Sequence, residues 1–105
     1  MMARNRDNAG YLRGLQSILP AFSIFPEIER VILFGSRARG DQDDRSDIDL
    51  AIDAPTMDIV GWSAFCDYMD ENSETLLKLD LVWLQKAQER LKENILKDGI
   101  TLYER

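Results

Sequence analysis

Histidine is absent from this chain of 105 residues, and cysteine occurs once, at Cys66. The first absence excludes serine or cysteine nucleophiles activated by an imidazole, and histidine-ligated zinc with them. The second excludes an intrachain disulfide or a cysteine-rich metal site and suits a reducing compartment. Carboxylates, hydroxyls, lysines and arginines remain as the groups available for chemistry. No apolar run approaches the roughly 18 residues of a membrane span, and the polar start Met1 to Asn8 lacks the apolar stretch of a signal peptide, so a cytoplasmic location is expected. Basic residues are also few: 13 Lys and Arg against 19 Asp and Glu leave a net charge of -6 and a pI near 4.6. Direct nucleic-acid binding rests on cations neutralising phosphates, so it is not expected here; cationic or metal-bridged partners suit the chain better.

What is present fits one ordinary domain. Hydrophobic residues make up 45% and charged residues 30% of the chain, enough for a single modest core spanning residues 1–105, with residues 1–9 expected to form a mobile tail. Leu12, Leu15, Leu19 and Phe22 recur at helical steps from near Tyr11, with Pro20 expected to bend or end that helix. Arg30 to Phe34 is a short continuous apolar run, the mark of a strand buried on both faces, and it stops at Gly35. Ser36 to Arg39 suits one helical turn, and Asp41 to Ser46 a loop. In a second strand Ile48, Leu50 and Ile52 point one way while Asp47, Asp49 and Ala51 point the other. A helix follows with Thr56 as N-cap and Ile59, Trp62, Phe65 and Met69 on its apolar side, through about Asn72. Lys78 to Leu84 reads as a third strand, with Asp80 opposite Leu79, Leu81 and Trp83. Ala87 to Asp98 reads as a last helix, with Leu91 and Ile95 inward, a Glu93 to Lys97 pair and Gly99 as C-cap, and Ile100 to Tyr103 as a short edge strand. Cys66 falls in the middle helix as a small core residue.

The carboxylates carry the chemistry. Asp41, Asp43, Asp44, Asp47, Asp49 and Asp53 crowd one window relieved only by Arg45, and such crowding invites a divalent cation. Asp47 and Asp49, two apart in a strand, share a face with backbones roughly 6.5 to 7 Å apart, a reach from which their side chains can converge on paired metal ions. Asp80, an aspartate between leucines in the next strand, closes the set. Three neighbouring carboxylates repel one another until a cation joins them, and magnesium's preference for carboxylate, water and phosphate oxygens makes a nucleoside triphosphate its natural remaining ligand. Gly35 and Ser36 supply the phosphate end: a strand that ends in glycine and turns into a short helix presents backbone N–H groups to an anion. Arg37, Arg39 and Arg45 stand near enough in sequence to neutralise charge there.

Gly35-Ser36, ten intervening residues, Asp47-Ile48-Asp49 and the later Asp80 resemble the signature of the DNA polymerase β nucleotidyltransferase superfamily. The string from Leu33 to Gly40 is similar to its small stand-alone branch, the minimal nucleotidyltransferases, and the likeness extends from Val31 to the ending Ile95 to Glu104. The resemblance implies an α/β (α+β) fold, a mixed sheet with helices packed on one side. It implies Gly35, Ser36, Arg37 and Arg45 at the nucleotide, Asp47, Asp49 and Asp80 as catalytic ligands of two Mg2+ ions, and ATP as substrate. Members of this branch pair with a small helical protein of the HEPN kind as antitoxin and toxin, the enzyme moving AMP from ATP onto a tyrosine hydroxyl of the toxin. The sheet and its covering helices consume the 105 residues, so a separate protein is expected to present the acceptor, and an acidic surface suits a basic one.

Two other functions compete with this one. A non-catalytic protein could neutralise its partner by occlusion, using Trp62, Phe65, Tyr68 and Met69 as a docking surface, although the spacing of Trp62, Phe65 and Met69 fits the core better and leaves only Tyr68 uncommitted. Alternatively the same chemistry could serve a small hydroxylated molecule or an RNA end, against which the negative charge and the lack of a substrate domain both speak.

Overall fold

The computed structural model describes residues 19–35, 38, 48–72 and 79–105. At its centre is the five-residue strand β1 (Arg30–Phe34), apolar from Val31 to Phe34 and hydrogen-bonded on both edges. On one side it pairs antiparallel with β2 (Ile48–Asp53), from Arg30 opposite Asp53 to Phe34 opposite Asp49. On the other it pairs antiparallel with β4 (Ile100–Glu104), with an irregularity between Val31 and Ile32. Beyond β2 lies β3 (Leu79–Trp83), parallel to it, so the strand order is β3-β2-β1-β4 and the sheet is mixed.

Alternation along these strands divides the apolar residues between two faces. Val31, Leu33, Ile48, Leu50, Ile52 and Trp83 join one cluster, closed over by Phe22 from the helical residues 19–24 (α1) and by Phe65 and Met69 from α2 (Ile59–Asn72). Aromatic rings fill much of it: Phe25 meets Phe65 edge-on at 5.3 Å, and Trp62 stacks on Trp83 at 5.4 Å. The opposite face buries Ile32, Ala51, Leu84 and Ile95, with Phe34 packed against them. Ile95 is the buried residue of α3 (Glu89–Asp98). Helices therefore cover both faces rather than the one side expected, because Ile32 and Ala51, register partners on the far face, also need a cover.

Local corrections follow from side chains that the sequence pattern could not rank. The cap of α2 is Asp58, whose Oδ1 accepts the Gly61 N–H at 2.7 Å, and not Thr56; an aspartate three residues ahead of an orphan N–H reaches it directly. Pro20 does not end α1, which continues to residue 24. Leu91 is 37% exposed, leaving Ile95 as the anchor of α3, and the ion pair on that helix is Lys92 with Glu89 at 4.0 Å, not Glu93 with Lys97. Leu84 leaves the third strand to begin a 3-10 turn (Leu84–Lys86), and α3 starts at Glu89. Gly99 does cap α3, donating its N–H to the Ile95 carbonyl at 2.8 Å, yet its φ of -73° is ordinary. Glycine is needed there for space, since a Cβ would run into the Ile32 side chain and the Ile95 carbonyl. The start of the first helix, the tail at 1–9, the loop 41–46 and Lys78 lie outside the described residues.

At the end of β2, Asp53 is 8% exposed and doubly held. Arg30 Nε donates to its Oδ2 at 2.8 Å, and Gln85 Nε2 donates to its Oδ1 at 2.6 Å. Gln85 Oε1 in turn accepts the Ala54 N–H at 2.9 Å. No described helix is long and apolar enough to cross a membrane.

Replacing Asp53 by alanine should cost about 1–3 kcal/mol of stability, read from denaturant midpoints, because Arg30 and Gln85 lose a charged acceptor in a largely dry position. Cys66 gives a second test: burial first, then Asp67 and Asp70, push its thiol above the ordinary value. Ellman's reagent should modify it more slowly than a free thiol at pH 8 and at the free rate in urea. The folded thiol holds its proton more tightly than the unfolded one, so its contribution to stability is complete below about pH 8.5 and declines as the pH rises past it.

Candidate active site

Ile48, Leu50 and Ile52 are fully buried in the first face of the sheet. Their burial turns Asp49 and Asp53 to the other face, because neighbouring side chains on a strand point opposite ways. β3 pairs with β2 so that Asp80 is the register partner of Asp49, and adjacent strands lie about 4.8 Å apart. β1 runs the other way and brings its last residue, Phe34, opposite Asp49. One end of the sheet thus gathers a row of Phe34, Asp49 and Asp80 across three strands, with Asp49 half-buried and Asp80 exposed.

Gly35 follows Phe34 with a φ of 79°. That is the left-handed region, where a Cβ is strained. Space excludes one as well: a Cβ on Gly35 would collide with Asp49 Oδ2 and stand 3.2 Å from Asp49 Cγ. The chain at the end of β1 therefore packs its bare α-carbon against a carboxylate, so Gly35 is tied to Asp49 as well as to the turn.

Of the residues singled out by sequence, Gly35, Asp49 and Asp80 come together at this end. Ser36, Arg37, Arg39, Arg45 and Asp47 lie outside the described residues. Among the described residues no group of three acidic or cysteine side chains gathers as a metal cluster; Asp49 and Asp80 are the described pair. Two hard carboxylates on register partners, one of them open to solvent, are a donor set that fits a magnesium ion. Asp53 is not part of it. Four residues along β2 from Asp49, about 13 Å at strand spacing, it is committed to Arg30 and Gln85. The sequence reading missed Phe34 and Gln85 as neighbours of the acidic positions, because only strand register reveals the first and a side chain 32 residues away the second.

The family profile described as "Polymerase beta, Nucleotidyltransferase" matches residues 16–105. Solved structures similar to this chain include a toxin-antitoxin crystallised with AMP-PNP, at 26% identity over 89% of this chain and 73% of that one, with a TM-score of 0.64. A mutant form of the toxin-antitoxin MntA-HpeT shares 25% identity over 90% of this chain and 70% of that one, with a TM-score of 0.59. A candidate nucleotidyltransferase from Sulfolobus solfataricus shares 24% identity over 97% of this chain and 87% of that one, with a TM-score of 0.65, and speaks for the fold alone. No curated protein matches the chain.

Gly35→Ala should destabilise the fold by about 1–3 kcal/mol, the cost of a strained φ, and shift the Asp49 carboxyl resonance in 13C spectra while leaving that of Asp53 in place. An unmoved Asp49 signal would refute the packing of Gly35 against it.

Proposed function

Because the chain belongs to the polymerase beta nucleotidyltransferase family, we propose that it moves AMP from ATP to a hydroxyl, a tyrosine on a helical HEPN-type toxin, and serves as that protein's antitoxin. The observation that carries this reading is the register pairing of Asp49 with Asp80 beside Gly35. Two relatives at 25% and 26% identity that are toxin-antitoxins, one of them solved with an ATP analogue, support both the nucleotide and the partner. The HEPN character of that partner is what the family resemblance implies. The reading takes residues 1–105 as one nucleotidyltransferase domain working in the cytoplasm.

In this mechanism Asp47, Asp49 and Asp80 would hold two magnesium ions, and Gly35, Ser36, Arg37 and Arg45 would take the triphosphate. When bound, magnesium offsets phosphate charge and eases ionisation of the attacking hydroxyl. Gly35 contributes closeness, since an α-carbon without a side chain lets an anion approach the backbone. Asp80, exposed on the terminal described strand, faces the acceptor and orients its hydroxyl by accepting a hydrogen bond. The acceptor oxygen bonds to the α-phosphorus as the bond to the bridging oxygen breaks. Pyrophosphate leaves, and the hydroxyl proton passes to water.

Neutralisation by occlusion alone keeps only part of its proposed docking surface. Phe65 and Met69 are buried, Trp62 stacks on Trp83, and Tyr68 packs edge-on to Phe25 at 5.8 Å. Phe65 and Met69 are thus taken up by the core, whereas Trp62 and Tyr68 pack against it and stay half-buried.

Incubating the chain with labelled ATP, magnesium and its partner toxin should place an adenylate on a tyrosine of that toxin, seen as added mass on the intact protein. Asp49→Asn and Asp80→Asn should each reduce labelling by roughly 100-fold or more, with partner binding retained. Full neutralisation by both variants without any label would establish occlusion instead. Label on RNA or on a small molecule alone would reassign the acceptor.

A further inference from the structure

Alternation fixes only part of the pairing between β2 and β3. Leu79, Leu81 and Trp83 pack against one apolar cluster, while Asp80 is exposed. A slip of β3 by one residue would turn Asp80 into that cluster, so it is forbidden. A slip by two keeps every side chain on its own face and moves one leucine into the place of the other. It would carry Asp80 about 6.6 Å along the sheet from Asp49. Leu79, Leu81 and Val82 are only half-buried and are poor obstacles to it.

What opposes that slip lies at the other end of the strand. Trp83, the register partner of Ile52, donates its indole N–H to the Ala54 carbonyl at 3.1 Å and stacks on Trp62. Gln85, just past the strand, grips the end of β2 twice. Its Nε2 donates to Asp53 Oδ1 at 2.6 Å, and its Oε1 accepts the Ala54 N–H at 2.9 Å. Asp53 is itself fixed from β1 by Arg30 at 2.8 Å. A two-residue step breaks both bonds of Gln85 together and leaves a buried carboxylate with one partner fewer.

Resting on the reading above, we infer that Gln85 is a positioning residue: its clamp on Asp53 and Ala54 holds β3 in the one register that sets Asp80 opposite Asp49. Asp80 stands three residues, about 10 Å, up the strand from Trp83. The amide therefore acts through the strand, at the end of β2 remote from the acids. A residue that only adds stability would loosen all strands alike; a clamp on register loosens β3 alone.

The test reads amide hydrogen exchange by NMR, and Mn2+ binding by the electron paramagnetic resonance of the free ion. It compares the wild-type chain with Gln85→Ala, Gln85→Glu, the double variant Asp53→Asn with Gln85→Glu, and Arg30→Gln, each shown to be folded by its urea midpoint. In Gln85→Ala the β3 amides should exchange about 10-fold faster relative to those of β1, the effect of losing one charge-assisted bond. Mn2+ affinity should fall by about three-fold or more, in proportion to the molecules that leave the register. Gln85→Glu sets two carboxylates against each other and should do at least as much. Adding Asp53→Asn lets the new amide donate and the new carboxylate accept, so β3 exchange and Mn2+ affinity should return to within about two-fold of wild type. Arg30→Gln weakens the hold on Asp53 from the β1 side; it should lower the urea midpoint and leave both the exchange ratio and Mn2+ binding unchanged. An unchanged ratio in both single Gln85 variants overturns the inference, as does a double variant no better than Gln85→Glu. Equal loosening of β3 in Arg30→Gln, or wild-type Mn2+ affinity despite a looser β3, overturns it too. A wild-type chain that binds no Mn2+ overturns the metal reading beneath it and leaves the exchange ratio to decide the register.

Discussion

Where β1 meets β2, one choice of register decides several things together. With Phe34 opposite Asp49, Ile32 falls opposite Ala51 and Arg30 opposite Asp53. A slip by one residue would turn each strand's core-facing set to the wrong side: Ile48, Leu50 and Ile52, which are fully buried, would no longer align with Val31 and Leu33. The fold cannot tolerate that, and the acidic residues inherit their positions from it. The carboxylates are held where they are because the intervening aliphatic side chains cannot be anywhere else.

The face opposite α2 is consequently zoned along the strands. At one end lie the two acids and a glycine; in the middle Ile32, Ala51 and Ile95 form an apolar plug; at the far end Asp53 is matched by Arg30 and Gln85. Asp53 is a brace, its charge matched by Arg30 and Gln85. Asp49 and Asp80 lie at the opposite end as register partners beside Gly35.

Much of this was legible in residue order. The alternation of Ile48, Leu50 and Ile52 against Asp49 announced both strand and facing, and Asp80 between Leu79 and Leu81 did the same for its neighbour. Gly35 was found because a strand run stops there. Pairing partners were not legible, since nothing within Arg30–Phe34 states that it sits between β2 and β4. The placement of α3 also depended on distant residues: its buried contact is Ile95, and the surface awaiting it, Ile32 and Ala51, is assembled only after β1 and β2 pair. The role of Asp53 was hidden for the same reason, its partners lying 23 and 32 residues away. Composition within the acidic window could not separate a brace from a ligand.

Strand β4 closes the sheet from the far end of the chain, pairing with β1 across some seventy residues of sequence, and the backbone N–H of Arg105 reaches the Glu29 carbonyl at 2.9 Å. Such a long loop must close before its contacts bring any gain. On the ribosome the central strand is therefore made early yet keeps one bare hydrogen-bonding edge until residues 100–104 emerge. That edge, rich in Val, Ile, Leu and Phe, is a template for pairing between nascent chains. Residues 100–104 thus cover that edge of β1 as well as completing its sheet.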